Sequence, residues 1–422
     1  MIEDIAISQP SCADAVDPGA LLVTEAMRRI HNLTQVVKDS EHLPLREALD
    51  RILVENIYST INVPGYTNSA VDGYAISSAD LGNDSSKSIV IVGTAFAGQP
   101  FMHPVQTGQC VHVMTGAKMP PGTDTVIMQE HVLLSNNTIR FNPGYKPGHN
   151  VRKAGEDLKI GEIAISAGKK ISPAELGMLA SMGIAEVNVT RKLRVAFFST
   201  GNELRSLGEE LGEGEIYDSN RYTLYGMLSR LPVEIDDLGV IPDDPQAMRN
   251  AFERASANSD VVITTGGVSV GEADFVKQVI NEMGNVDFWK LAIKPGRPLA
   301  FGKINNAIFF GLPGNPVAVM VTFYQFVLPT LRHMMGQTDI DQPRFKVICE
   351  SPLKKKPGRV EYYRGILSTD NDGRVKVCKA GMQGSGILST MSKANCFIVL
   401  PTDRSNVEPG QLVDVQPFEG LT

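Results

Sequence analysis

The run VVITTGGVSVGEADF carries an apolar strand pattern into Gly266 and Gly267, then Ser269 and Gly271, and reaches Asp274 at an acidic helix start. Gly266 and Gly267 have no side chains to keep a phosphate or extended ligand off the backbone, and a following helix start offers free N–H groups. A plain glycine turn capped by Asp274 fits the same residues. A second apolar run, RVAFFSTGNEL, ends in Ser199, Thr200, Gly201 and Glu203, and a third, VIPDDP, ends in Asp243 and Asp244. At the carboxyl ends of neighbouring strands, Glu203, Asp243 and Asp244 can converge on one cation. An oxygen-only set suits Mg2+ better than zinc. The other reading makes Asp244 a cap before Pro245, Asp243 a solvated acid and Glu203 the partner of a lysine. KLAIKPGRPLAFG gathers Lys290, Lys294 and Arg297 around a Pro-Gly turn, two point charges and one planar fork for an oxyanion. FFGLPGNP ends in Pro313, Gly314, Asn315 and Pro316, a rigid turn into a helix whose start can also receive an anion, or a loop fixed by prolines for packing alone.

Further candidates lie outside that stretch. Asp72 precedes Gly73 in an apolar context where an acid needs a reason, Thr115 follows an apolar run, and Asp157 follows Gly155. Arg364 in YYRG and Ser385 between two glycines offer a fork donor and a hydroxyl. Each of these also reads as a cap, a strand arginine or a surface turn. There is no G-x-x-x-x-G-K-[ST], no strand feeding G-x-G-x-x-G and no H-E-x-x-H, so triphosphate hydrolysis, dinucleotide binding and zinc proteolysis have no motif.

The elements that must position these residues follow from pattern. A chain of 422 residues has room for about three domains. Forty Lys and Arg against 47 Asp and Glu leave a charge of −7, which supplies no broad positive field for nucleic acid or an anionic membrane. The polar start has no signal-peptide order, and residues 317–331 are too few to span a bilayer and read as a buried helix. Five scattered cysteines without C-x-x-C read as reduced thiols, consistent with cytoplasm. Two opening helices are expected, over 18–37 and 44–57, then short β-rich runs over 62–150. Ser172, Pro173 and Glu175 make a capping box ended by Gly183. From Leu193 strands and helices alternate, the signature of a parallel sheet wound by crossover helices. Beyond Gly336 the texture returns to β and predicts a small barrel or sandwich.

In order and spacing, SAVDGYA, MTGAKMPPGTDTVIMQE, STGNEL, TTGGVSVGEADF, KPGRPLAFG, LPGNP, GRVEYYRG and GSGILSTMSKAN resemble the MoeA-type molybdopterin molybdenumtransferases, a module shared with the C-terminal part of gephyrin. The resemblance runs from about residue 20 to the end. It implies a multidomain α/β and β protein. An elongated N-terminal domain would span 15–61 and 151–192, with an inserted β domain over 62–150. A doubly wound molybdopterin-binding domain would span 193–340, with a β-barrel over 341–422. It implies insertion of molybdate into adenylylated molybdopterin with release of AMP, Mg2+ as cofactor, and a homodimer whose cleft is shared. Other molybdenum cofactor biosynthesis proteins would be partners; nucleic acid and membrane would not. By matching motif, Glu203, Asp243 and Asp274 would handle metal and nucleotide, Asp72 and Asp157 would join from the first two domains, and Thr115 matches the MTG loop. Lys290 and Lys294 would bind anion, and Lys294, Arg297, Arg364 and Ser385 would form the molybdate site. Arg297 and Asn202 stand where some relatives have Lys and Asp. A non-catalytic molybdopterin-binding scaffold, a nucleotide pyrophosphatase on the same α/β module and a tungstate-inserting homologue are the competing readings.

Overall fold

A computed structural model describes residues 19–82, 87–267, 274–340 and 342–418, with 274–277 described by backbone alone. Ser269 and Gly271 therefore lie outside the described residues, as does the side chain of Asp274. The chain divides into two compact units, His42–Leu49 with Leu53–Asn188, and Met1–Glu41 with Asp50–Ile52 and Val189–Thr422. This is a coarser division than the four segments read from sequence.

In the larger unit a six-stranded sheet runs in the order Val233–Ile241, Leu193–Thr200, Val261–Thr265, Ala307–Leu312, Pro298–Ile304, Gly284–Lys290. Side chains alternate across it. Val195, Phe197, Val261, Ile263, Ile308 and Phe310 join one core with Leu224 and Leu228 of the helix Ser219–Leu228 and Phe323 and Leu331 of a later helix. Ala196, Phe198, Val262 and Phe309 join another with Met248 and Phe252 of Pro245–Asn258 and Val279 and Ile280 of Asp274–Met283. Helices thus cover both faces, which explains why these strands read as unbroken apolar runs.

The sheet is not parallel throughout, as the alternation suggested. Its first four strands are parallel, but Pro298–Ile304 runs antiparallel to both neighbours. The connection from Lys290 to Pro298, with Gly296 at φ +97, is too short for the crossover of a dozen or more residues that a parallel return needs. The next connection is a tight hairpin at Asn305, φ +51.

The long apolar stretch forms a buried helix, Pro316–Thr322 and Leu328–Met334 joined by a π-helical turn, Phe323–Val327. Pro329, which cannot donate an N–H, accounts for the irregularity. Among the described residues no helix is long and apolar enough to cross a membrane.

The C-terminal strands are those expected: Phe345–Cys349, Val360–Thr369, Val375–Lys379, Cys396–Leu400 and Leu412–Pro417. Pairing of Val360–Thr369 with Cys396–Leu400 closes them into a five-stranded barrel. The pair Ile293–Lys294, inside the Pro-Gly turn of the α/β sheet, adds to this barrel in parallel beside Val360 and Glu361.

The first opening helix is shorter than expected, Val23–Leu33, because Thr34 takes extended backbone while its N–H still reaches the Ile30 carbonyl. The second is not a helix. Leu45–Ala48 makes one 3-10 turn, Asp50 takes φ +64, and Leu53 exchanges backbone bonds with residues 168 and 169. In the smaller unit, strands Thr125–Met128, Gly73–Ile76, Gln109–Val113, Ile89–Ala95, Thr138–Phe141 and Val132–Ser135 form one sheet. Short antiparallel pairs, Asn68–Ser69 with Val151–Arg152 and Ile57–Tyr58 with Ile163–Ile165, follow beyond it. The helix Pro173–Ser181 carries the capping box of Ser172 and Glu175, and Gly183 ends it at φ +75.

Candidate active site

Strand register assembles the site. Thr200 lies beside Ile241, Ser199 beside Thr265, and Thr265 beside Leu312, so four parallel strands end at one level. Their exits are the segments 201–203, 242–244, 266–267 and 313–315. The carboxyl edge of a doubly wound sheet is where ligands bind. Gly266, at φ +87, must be glycine: a Cβ there would lie 2.4 Å from the Thr200 carbonyl oxygen. Gly267 follows at φ +68, and the Gly266 N–H donates to the Leu312 carbonyl over 3.2 Å, which ties this turn to the end of the neighbouring strand.

Asp243 is held by two partners. Thr200 Oγ1 donates to its Oδ1 over 2.6 Å, and its own N–H donates to Asn202 Oδ1 over 3.1 Å. Asp244 is the helix cap that its place before Pro245 allowed, accepting from the N–H groups of Gln246 and Ala247. Glu203 is exposed and folds its carboxylate back over Gly201.

The Pro313–Pro316 turn is pinned from two directions. Asn220 Nδ2 donates to the Gly314 carbonyl over 2.7 Å, and the Val317 N–H donates to the Ser385 carbonyl over 3.1 Å. Ser385 is therefore brought to the start of the helix that Asn315 and Pro316 open. The Pro295-Gly296 turn packs on the same helix, since a Cβ on Gly296 would lie 2.8 Å from Thr322. Lys294, about half exposed, reaches Glu361 at 3.4 Å, and Glu361 is itself buried. Lys290 is exposed at the end of its strand and Arg297 is half-buried.

Arg364 is placed differently from the oxyanion donor expected of it. It is 1% exposed, and its guanidinium donates to the carbonyls of Gln383, Met382 and Gly384 and to Thr390 Oγ1. Burial without a carboxylate beside it pulls its pKa down to about 10, so it stays charged at neutral pH. The fork holds the loop that carries Ser385 and presents no face to solvent.

In the smaller unit Asp72 and Thr115 form one constellation. Asp72 Oδ1 accepts both the Thr115 hydroxyl and the Thr115 N–H, each at 2.7 Å. These two bonds, the hydroxyl first, hold the Asp72 carboxyl below its ordinary range. Gly73 fits beneath because a Cβ there would lie 2.1 Å from the Ile127 carbonyl oxygen. Asp157 is exposed in a turn, its N–H donating to Val63. The sequence reading missed Asp218 and Asn220, both buried at the start of Ser219–Leu228. The signal was the D-S-N order, in which one residue caps the helix and the second polar residue has no obvious duty.

Such a sheet with glycine, acid and lysine segments at its strand ends, followed by a closed barrel, defines an α/β ligand-binding enzyme core with β-rich flanks. The chain matches the MoeA N-terminal region (domain I and II) over residues 21–183, the "Probable molybdopterin binding domain" over 196–333, and the MoeA C-terminal region (domain IV) over 346–418. It is 47% identical to a molybdopterin molybdenumtransferase of Haemophilus influenzae, over 90% of this chain and 95% of that one. It is 31% identical to the gephyrin of Dictyostelium discoideum, over 94% of this chain and 61% of that protein. A crystal structure of the molybdopterin biosynthesis moeA protein from Pyrococcus horikoshii superposes with a TM-score of 0.82 at 30% identity, covering 94% of this chain and all of that one. The chain belongs to the MoeA-type molybdopterin molybdenumtransferases, enzymes of molybdenum cofactor biosynthesis.

Proposed function

We propose that this protein inserts molybdate into adenylylated molybdopterin and releases AMP, acting as a cytoplasmic homodimer with Mg2+. The observation that carries the reading is the shared level of four strand ends, which brings the Asp243, Gly266 and Gly314 segments to one edge in a chain of this family. The Gly266 N–H is taken by the Leu312 carbonyl, so the phosphate-bearing part is received at the Gly267 N–H, where the side-chain-free backbone lets it approach. Lys290, Lys294 and Arg297 offset the charge of the oxyanion, and the Ser385 loop, held by Arg364, closes over the start of the Pro316 helix. Asp72, Thr115 and Asp157 complete the polar set within the dimer, as the family resemblance implies.

Mg2+ would draw on oxygen donors of the strand ends: Glu203 and Asp243 lie on adjoining strand-end segments, Asp243 is oriented by Thr200, and Asp274 opens the helix after the glycine segment, although among the described residues no three such groups stand together as a preformed metal cluster. Bound there, the ion would polarise the pyrophosphate. The test mixes purified protein with adenylylated molybdopterin, Mg2+ and molybdate, and follows AMP and molybdenum. Molybdate-dependent AMP release with molybdenum kept on the pterin is expected, and Glu203→Ala or Asp243→Ala should abolish it in a folded protein. Tight binding of the adenylate by wild type without turnover would overturn the reading.

A further inference from the structure

Beside the strand-end site, a cavity of about 420 Å³ is lined by Leu207, Tyr217, Asp218, Tyr222, Thr223 and Leu388 among others. Asp218 is 2% exposed. Its Oδ1 caps the helix by accepting the Arg221 N–H, while its Oδ2 meets no donor among the described residues. Two residues on, Asn220 is 8% exposed; its Nδ2 holds the Gly314 carbonyl, and its Oδ1 likewise meets no donor. A buried carboxylate oxygen without a partner is unfavourable, and of these two residues Asp218 lines the cavity, so its Oδ2 calls for a ligand that supplies N–H or O–H groups. The surrounding wall is flat and largely apolar. The Tyr217 hydroxyl donates away to the Glu209 carbonyl, which leaves its ring as packing surface.

We infer that this cavity receives the pterin ring of the substrate, with Asp218 accepting from its 2-amino-4-oxo-pyrimidine edge. That edge places an exocyclic amino group next to a ring N–H, adjacent donors that match an acceptor-only site. Adenine sets its amino group beside ring nitrogens that accept, and a phosphate would meet the Asp218 carboxylate as a like charge. The phosphate-bearing end therefore lies toward Gly266 and Gly267, and Asn220 couples the two places through its bond to Gly314. The inference rests on the proposed substrate and deepens that reading.

The test titrates the full-length protein with 6-hydroxymethylpterin, followed by pterin fluorescence, and separately with AMP. Asp218→Asn keeps a good helix cap but turns an acceptor into a donor, and Leu388→Trp fills the cavity without touching the acid. Both should weaken pterin binding at least about tenfold and leave AMP binding unchanged, with melting temperatures near wild type. No pterin binding by wild type, wild-type affinity in both variants, or a loss confined to AMP would each overturn the assignment. AMP release is scored alongside. Turnover by wild type with unaltered pterin affinity in the variants sinks the cavity assignment alone, whereas pterin capture by wild type without turnover sinks the transferase reading alone.

Discussion

Thr200 ends one strand of the sheet, Asp243 lies two residues past the end of the adjacent strand, and the Thr200 hydroxyl donates to the Asp243 carboxylate over 2.6 Å. The acid is thereby aimed before any ligand arrives. Thr200→Val keeps the shape of the side chain and removes the donor. It should lower the rate of AMP release about tenfold, the worth of one hydrogen bond to a charged group, with little change in melting temperature. Thr200→Ser should restore the rate, and single-turnover kinetics with adenylylated molybdopterin would read both.

Thr115 supplies both bonds that lower the Asp72 pKa, so Thr115→Val should raise it toward 3.8 by removing the larger contribution. The folded-state pKa lies below the ordinary value. The bonds thus favour the ionised form above that value, and the effect fades as pH falls through the lowered one. Carboxyl NMR titration of wild type and variant gives the direction. A variant that titrates with wild-type midpoint would assign the shift elsewhere.

Arg364 places charged donors on three backbone carbonyls of one loop. Arg364→Lys cannot reproduce the planar fork and leaves a buried charge without most of its acceptors, at about 2–4 kcal/mol in unfolding free energy. Denaturant titration should show that loss, and limited proteolysis should find its first new cut near 382–388.

His333 stacks on His31 with ring centroids 3.8 Å apart. Burial, and then the neighbouring His31, push its pKa below 6.5 although a bond with Thr34 works the other way. Below pH 6.5 the unfolded chain therefore binds more proton than the native state, so stability falls as pH drops through this region. His333→Asn should flatten the slope, measured as urea midpoints between pH 8 and pH 5.5.

Gly266 and Gly208 both adopt positive φ, but only Gly266 faces a backbone atom, the Thr200 oxygen. Gly208→Ala should cost about 1 kcal/mol and Gly266→Ala more than about 2 kcal/mol, with lost AMP release in the second case alone. Equal costs would mean that the close approach is relaxed without consequence.

Much of this was legible in the chain. The capping box at Ser172, the turn of strand into helix at Asp244-Pro245, and the β runs of the barrel are local patterns whose physics is complete within a few residues. What escaped depends on distant partners. Residues 44–57 carry helical spacing, yet backbone bonds between Leu53 and residues 168 and 169 decide their form. The reversal of one sheet strand, Pro298–Ile304, hangs on the shortness of the connections on either side of it. Arg364 reads as a free donor in YYRG because the carbonyls that take it come from a loop some twenty residues on. Asp218 and Asn220 become conspicuous only once the fold buries them.

Ile293–Lys294 belongs to the connection between two strands of the α/β sheet and, at the same time, pairs with Val360 and Glu361 of the barrel. The two domains are consequently not separable cassettes. A chimera that exchanged residues 341–422 for those of a relative would leave the Ile293–Lys294 segment paired to a foreign edge. The smallest transplantable piece is the barrel together with residues 291–297, and substitutions in the barrel wall can shift the position of Lys294 without touching a single residue of the acid set.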